Sequence, residues 1–186
     1  MDIILASASP RRRELIKKLN YLSVTVRPSS AEERADGIEA EKIAVKLALS
    51  KAKNIAGFYP DTLVLGADTI VSLNGKIYGK PSSSEEAVAF LKELAGKTHE
   101  VITGIALIKG DKTITAREIT KVTFAEFNEE AVRSYVATGK PLDKAGAYGA
   151  QDKEFSFMVK NIDGDVDNVI GLPVKLLDEL IRKYYA

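Results

Sequence analysis

Short apolar runs alternate along the chain with stretches in which apolar residues recur every three or four positions, a pattern that predicts strands interleaved with helices. Ile3 to Ala6 reads as a buried strand leading straight into a helix. Ser9 suits that helix's N-cap, Pro10 its first position, Leu15, Ile16 and Leu19 its inner face, and Asn20 its stop. A strand is predicted around Leu22 to Val26, then an unpatterned polar loop from Pro28 to Gly37. The next helix runs from about Glu39 to Ala56 and ends at Gly57. Thr62 to Val71 is apolar throughout except for Asp68, as in a strand covered on both faces.

Asn74-Gly75 predicts a turn and Gly79-Lys80-Pro81 a loop. Ser83 and Glu86 form a capping box at the start of a helix that Gly96 ends. Strands over about 100–108 and 112–124 flank Gly110-Asp111 as a hairpin. A helix follows Asn128 and stops at Gly139, and a glycine-rich loop then reaches Gly149. A strand around Phe155 to Val159 follows, and the last helix starts at Pro173 and buries Leu176, Leu177, Leu180 and Ile181. Alternating strands and helices with one antiparallel hairpin predict an α/β fold around a mixed sheet. With no internal repeat and no long linker, the 186 residues suit one domain.

Composition narrows the chemistry more than the fold. The net charge of +1 gives no reason to expect nucleic acid or an anionic membrane as partner, so an anionic substrate needs a local cluster of cations. The absence of cysteine excludes disulfides, thiolate catalysis and cysteine zinc sites. A single histidine, His99, excludes a multi-histidine metal site, so a catalytic metal is expected to be a hard ion held by carboxylates, phosphates and water. The first residues do not read as a signal peptide and no apolar run is long enough to span a bilayer, which sets a cytoplasmic expectation.

Three features of the pattern call for a chemical account. Arg11, Arg12 and Arg13 occupy the first turn of a helix, where the helix dipole disfavours cations by roughly 0.3–1 kcal/mol each. With the neighbouring serines and free backbone N–H groups they suit an anion such as phosphate, or else form a solvated basic helix start beside Glu14. Lys51 falls in the row Ile43, Leu47, Lys51, Ile55, an apolar stripe on which an ammonium must be paired or snorkel outward. Asp68 interrupts an apolar strand and needs a cation, a metal or hydrogen-bond donors; it reads either as a carboxylate facing a cleft or as a strand-end cap. Gly66 before it leaves room for a large group to approach the backbone. Lys80, Glu32, Glu33 and His99 read by themselves as ordinary loop or structural residues. The run Asp143 to Gln151 offers turn freedom to present Tyr148 and Gln151 to a ligand, or is a plain flexible loop.

Six stretches occur in order from residue 7 to residue 173: S-A-S-P-R-R-R-E-L, V-L-G-A-D-T-I-V, G-K-P, G-K-T-H-E-V-I-T-G, V-A-T-G-K-P-L-D-K-A-G-A-Y-G-A-Q and N-V-I-G-L-P. Together they resemble the Maf family (septum formation inhibitor Maf) of nucleoside triphosphate pyrophosphatases. The resemblance implies an elongated mixed sheet flanked by helices, with a central nucleotide-binding cleft, similar to inosine triphosphate pyrophosphatase. It also implies a magnesium or manganese ion and a homodimer. Carried onto this chain, it implies that Ser7, Arg11 and Arg12 bind the triphosphate and that Lys51 and Lys80 neutralise phosphate charge. Glu32 helps hold the metal together with Asp68, Asp68 is the proton acceptor, and Thr69 and Gln151 lie on the base-recognition side. K-A-G-A-Y-G-A-Q resembles the dTTP/UTP branch, although Asp152-Lys153 stands where the family usually has glycine after the glutamine.

The expected reaction is attack of water on the α-phosphorus with departure of pyrophosphate, the cations and metal stabilising the leaving charge. Two alternatives remain at this point: a nucleotide-binding regulator of septum formation without turnover, and a pyrophosphatase for non-standard purine triphosphates.

Overall fold

The computed structural model describes residues 1–31 and 39–185. Seven strands form one mixed sheet in the order β2-β1-β3-β5-β6-β7, with β4 paired to β3. Close contacts divide the chain into two units, each assembled from separate stretches of sequence: residues 1–69, 103–118 and 171–186, and residues 70–102 and 119–170.

In the first unit, β1 (Asp2–Leu5) lies parallel between β2 (Ser23–Val26) and β3 (Leu63–Leu73), with Leu5 opposite both Val26 and Leu65. Helix α1 (Pro10–Ile16) carries the chain from β1 out to β2; α2 (Ala40–Ala56) carries it back past β1 to β3. Two right-handed crossovers running in opposite senses place their helices on opposite faces of the sheet. Side-chain parity agrees with this. Ile4, Ala6 and Val64 pack with Ala48, Ala52 and Ile55 of α2, joined by Ala106 and Ile108 of β5 (Thr98–Lys109). Helix α2 sits directly on the strand backbones because both surfaces lack bulk. A Cβ on Gly66 would collide with the Ala48 carbonyl and the Ala52 amide, and one on Gly104 with the Ala44 carbonyl. The large group for which Gly66 makes room is thus helix α2 itself.

Ser9 caps α1 as expected, its Oγ accepting from the Arg12 N–H, and Pro10 takes the first position. The helix ends at Ile16, four residues before the predicted stop. Lys17, Lys18 and Leu19 then donate to the carbonyls three residues back, a tightened turn that still buries Leu19. The last helix, α6 (Val174–Tyr184), buries Leu177 and Ile181 fully and leaves Leu176 and Leu180 half-buried.

In the second unit, β4 (Lys76–Tyr78) pairs antiparallel with the end of β3 through Asn74-Gly75, whose φ values of 51° and 81° are those of a two-residue hairpin turn. The Asn74-Gly75 pair signals the turn in the sequence, whereas a three-residue strand is too short to show a period. β6 (Lys112–Phe124) pairs antiparallel with β7 (Val159–Asp163), with an irregularity between Thr123 and Phe124. Helices α3 (Ser84–Leu94), α4 (Glu129–Val136) and α5 (Val166–Ile170) complete the unit. Ser83 caps α3, but the Glu86 carboxylate reaches Ser82 rather than Ser83, accepting from its N–H at 2.6 Å and its hydroxyl at 2.7 Å. The strand expected at Phe155 to Val159 begins only at Val159. Phe155 and Met158 are fully buried around a short 3₁₀ turn, packed with Phe124, Tyr135 and Tyr148, so their apolar character reflects the core and not a strand.

Candidate active site

Strand β1 stops at Leu5 while β3 runs on, so the residues after β1 emerge beside the middle of β3. The Ala6 N–H still donates to the Leu65 carbonyl at 2.8 Å. From β1 the chain turns one way to β2, and the next strand on the other side is β3. Crevices past the carboxyl ends of strands at such a reversal are where open α/β sheets bind ligands. Ser7 follows the end of β1 here, and Asp68 and Thr69 lie alongside it midway along β3.

Arg12 is 8% exposed, and its guanidinium joins three parts of the first unit. Its Nε donates to the Gly171 carbonyl at 2.8 Å, one Nη to Ser7 Oγ at 3.2 Å and the other to Thr69 Oγ1 at 3.0 Å. The Thr69 hydroxyl is also 2.9 Å from that of Thr103. A planar fork of donors satisfies divergent acceptors in a way that an ammonium does not. This network offsets the unfavourable position of Arg12 at the positive end of a helix. Arg11, the next residue back, is half-buried.

Asp68 lies within β3 and is buried, which sets aside the strand-end cap. Its partner is Lys51 of α2, with Nζ 2.5 Å from Oδ1 and side chains only 12% and 10% exposed. The close seat of α2 makes the pair. The Ala44-Ala48-Ala52 stripe lies on Gly66 and Gly104, so Lys51, one position before Ala52, reaches the strand two residues beyond Gly66. Pairing, not snorkelling, accounts for the cation on the apolar stripe. An ion pair in such a place is weak evidence for stability, because desolvating both charges opposes their attraction.

Other expected residues fall elsewhere. Lys80, after β4, and Gln151 belong to the second unit, and both side chains are exposed. Tyr148 is buried, its hydroxyl 2.7 Å from His99 Nε2, so it belongs to the core and does not face a ligand. His99 is 1% exposed, and burial lowers its pKa to about 4, so it is a neutral structural imidazole. Glu32 and Glu33 lie outside the described residues. Among the described residues, no three histidine or carboxylate side chains gather around one point.

Two participants were missed from the sequence. Thr103 is a fully buried polar residue in an apolar strand, the same signal that singled out Asp68. Gly171 contributes only its carbonyl, which no side-chain pattern reports; its φ of 137° accompanies that carbonyl's approach to Arg12.

The model of a family described as Maf-like protein matches residues 2–184. The dTTP/UTP pyrophosphatase of Pyrococcus furiosus is 46% identical over 181 residues, covering 97% of this chain and 94% of that one. That of Bacillus cereus is 46% identical over 183 residues, covering 98% and 95%. Among solved structures, the Staphylococcus aureus Ham1 protein superposes with a TM-score of 0.59 over 98% of this chain and 99% of that one, at 17% identity, a likeness of fold alone.

Proposed function

The chain belongs to the Maf-like protein family, and from that premise we propose that it hydrolyses dTTP and UTP to the nucleoside monophosphate and pyrophosphate. The observation that carries the reading is the juxtaposition on β3 of a buried Lys51–Asp68 pair and an Arg12 fork that also holds Ser7. Lys51 and Asp68 bring a cation and a carboxylate together on one face of β3, and the next residue, Thr69, meets the Arg12 fork on the other. The substrate class rests on the relatives named as dTTP/UTP pyrophosphatases.

In the proposed mechanism a water oxygen forms a bond to the α-phosphorus as the bond from that phosphorus to the bridging oxygen breaks. Pyrophosphate leaves with the electron pair, and the Asp68 carboxylate takes the proton of the water. Lys51 shares its charge between Asp68 and the incoming phosphates, so a negative substrate frees the carboxylate that the ammonium holds in its absence. Arg11, Arg12, Ser7 and Lys80 bind and orient the triphosphate. Holding water and phosphorus in line contributes as much as basicity. Thr69 and Gln151 select the base.

Asp68 supplies hard carboxylate oxygens, and the one imidazole of the chain is buried against Tyr148, so the donor chemistry fits magnesium or manganese. Asp68 and Glu32 would hold the ion, which when bound neutralises phosphate charge.

Product analysis with magnesium against dTTP, UTP, CTP, ITP, XTP and 7-methyl-GTP tests the reading. Monophosphate and pyrophosphate from dTTP or UTP are expected. Turnover of a purine triphosphate alone would reassign the substrate, and binding of nucleotide without products would make the protein a sensor. No helix among the described residues is long and apolar enough to cross a membrane. A cytoplasmic site of action, a homodimer and a role in cell-division arrest complete the proposal; sedimentation tests the dimer.

A further inference from the structure

Gln151 lies in a four-residue turn that the second unit holds from several sides. The Asp152 N–H donates to the Gly149 carbonyl at 3.0 Å and closes the turn. Downstream, the Phe155 and Ser156 N–H groups both donate to the Asp152 carbonyl at 2.9 Å. Upstream, the Gly149 N–H donates at 3.0 Å to the hydroxyl of Tyr135, which in turn donates to Asp152 Oδ2 at 2.7 Å. One phenol on α4 thus ties the first residue of the turn to the side chain of the last.

Lys144 completes the arrangement. Its Nζ lies 3.5 Å from Asp152 Oδ2 and 3.0 Å from Asp143 Oδ1 and also donates to the Lys140 carbonyl, with the Lys144 and Asp152 side chains only 9% and 12% exposed. Gly149 permits the close approach. A Cβ there would stand 2.8 Å from both Asp152 Oδ2 and Lys144 Cε. Burial, reinforced by the Asp152 carboxylate, raises the Tyr135 pKa, so the phenol keeps the proton it donates. Gln151 is left exposed between two tethered ends.

We propose that Tyr135, Asp152 and Lys144 form a clamp that fixes the Gly149–Asp152 turn and so presents the Gln151 amide to the nucleobase, making Asp152 a positioning residue for substrate selection. This rests on the reading of Gln151 as a base-selecting residue. An amide that reads a base edge needs its donor and acceptor held in a fixed sense, because either end of a freely turning amide accommodates the wrong base. A mobile turn would spend binding energy on ordering itself at each encounter.

The test compares kcat and KM for dTTP and dGTP in the wild type, Asp152→Ala, Asp152→Asn, Tyr135→Phe, the Tyr135→Phe/Asp152→Ala double variant and Gln151→Ala. Asp152→Ala is expected to raise KM for dTTP about tenfold, to change kcat by less than about threefold, and to narrow the dTTP/dGTP ratio of kcat/KM about tenfold. Asp152→Asn, whose amide oxygen still accepts from Tyr135, should recover most of that ratio. The double variant should be no worse than either single change, as for members of one network. An unchanged ratio in Asp152→Ala beside a narrowed one in Gln151→Ala would overturn the clamp and leave the Gln151 reading standing. An unchanged ratio in Gln151→Ala would overturn both. If Asp152→Ala does not fold, Tyr135→Phe decides by the same ratio, and loss of thermal stability with selectivity intact reduces the cluster to a structural role.

Discussion

Asp68 and Thr69 are neighbours on β3 and turn to opposite faces of the sheet, Asp68 to Lys51 of α2 and Thr69 to Arg12 of α1. The alternation of a strand thereby separates two tasks within two residues. The carboxylate meets its cation on one face, and the hydroxyl joins the guanidinium network on the other. Both helices are fed by the reversal of strand order at β1, so the topology that folds the first unit also brings these groups to the middle of β3, past the end of β1.

Replacing Asp68 by Asn should lower turnover about 10²–10⁴-fold, the range for loss of a general base, while nucleotide binding survives. The same change leaves the Lys51 ammonium without its carboxylate, so the free variant should also melt lower than the wild type. Added triphosphate, which supplies a new anion, should raise the melting temperature of the variant more than that of the wild type. Calorimetry with and without dTTP checks both effects. Equal loss of binding and turnover would count against the proton-acceptor role.

Arg12→Lys keeps the charge and removes the fork. One ammonium cannot bond Ser7, Thr69 and the Gly171 carbonyl in the directions that the guanidinium does. Losing one or two of these bonds to a charged group should lower kcat/KM about 10–100-fold. Steady-state kinetics on dTTP measure it. Activity close to wild type would show that charge alone suffices at this position.

Much of this is legible in the sequence. The alternation of strand and helix patterns with one hairpin predicts the α/β fold with a mixed sheet, and Asp68 and Lys51 stand out because charge is costly inside apolar periodicity. Less legible were features that carry no side-chain signal. The carbonyl of Gly171 is backbone, and β4 is three residues long, too short for any period. Phe155 and Met158 read as strand residues because a buried 3₁₀ turn and a strand can place the same apolar side chains in a core. Tyr148 looked available to a ligand because glycine-rich surroundings suggest freedom, whereas its ring is packed against Phe124 and His99. Glu32 lies outside the described residues, and its part in holding a metal stands as proposed.

Gly66→Ala tests whether the seat of α2 sets the Lys51–Asp68 pair. The added methyl meets backbone atoms of α2 and not the end of a flexible side chain, so the helix must shift. Overpacking of this kind typically destabilises by about 1–3 kcal/mol, and each kcal/mol shifts the melting temperature of a chain this size by roughly 2–4 °C. Activity should fall further than stability alone requires, since the shift carries Lys51 away from Asp68. Thermal unfolding together with kcat at a temperature where the variant stays folded separates the two. Full activity in a folded variant would show that the pair tolerates movement of the helix.

His99 makes a prediction about acid. Burial lowers its pKa from 6.5 to about 4, with the hydroxyl of Tyr148 at one ring nitrogen and the Phe124 ring alongside. The Tyr148 phenol is itself pushed above its ordinary range by burial and stays protonated, so it supplies no charge to favour an imidazolium. Between pH 6.5 and 4 the unfolded chain therefore binds a proton that the folded chain refuses, and stability rises with pH across that window. The contribution is complete above pH 6.5 and is lost as pH falls toward 4, amounting to roughly 3 kcal/mol at about 1.36 kcal/mol per pH unit. His99→Gln keeps a polar partner for Tyr148 without taking up a proton, so its denaturant midpoint should vary less over the same range. The carboxylates with lowered pKa values, such as Glu93 held down by Lys76 and Tyr78, are retained in the variant and act alike in both proteins, so they leave the difference between the two to His99. Parallel pH profiles for the two would mean that His99 takes up its proton in the folded state as readily as in the unfolded one.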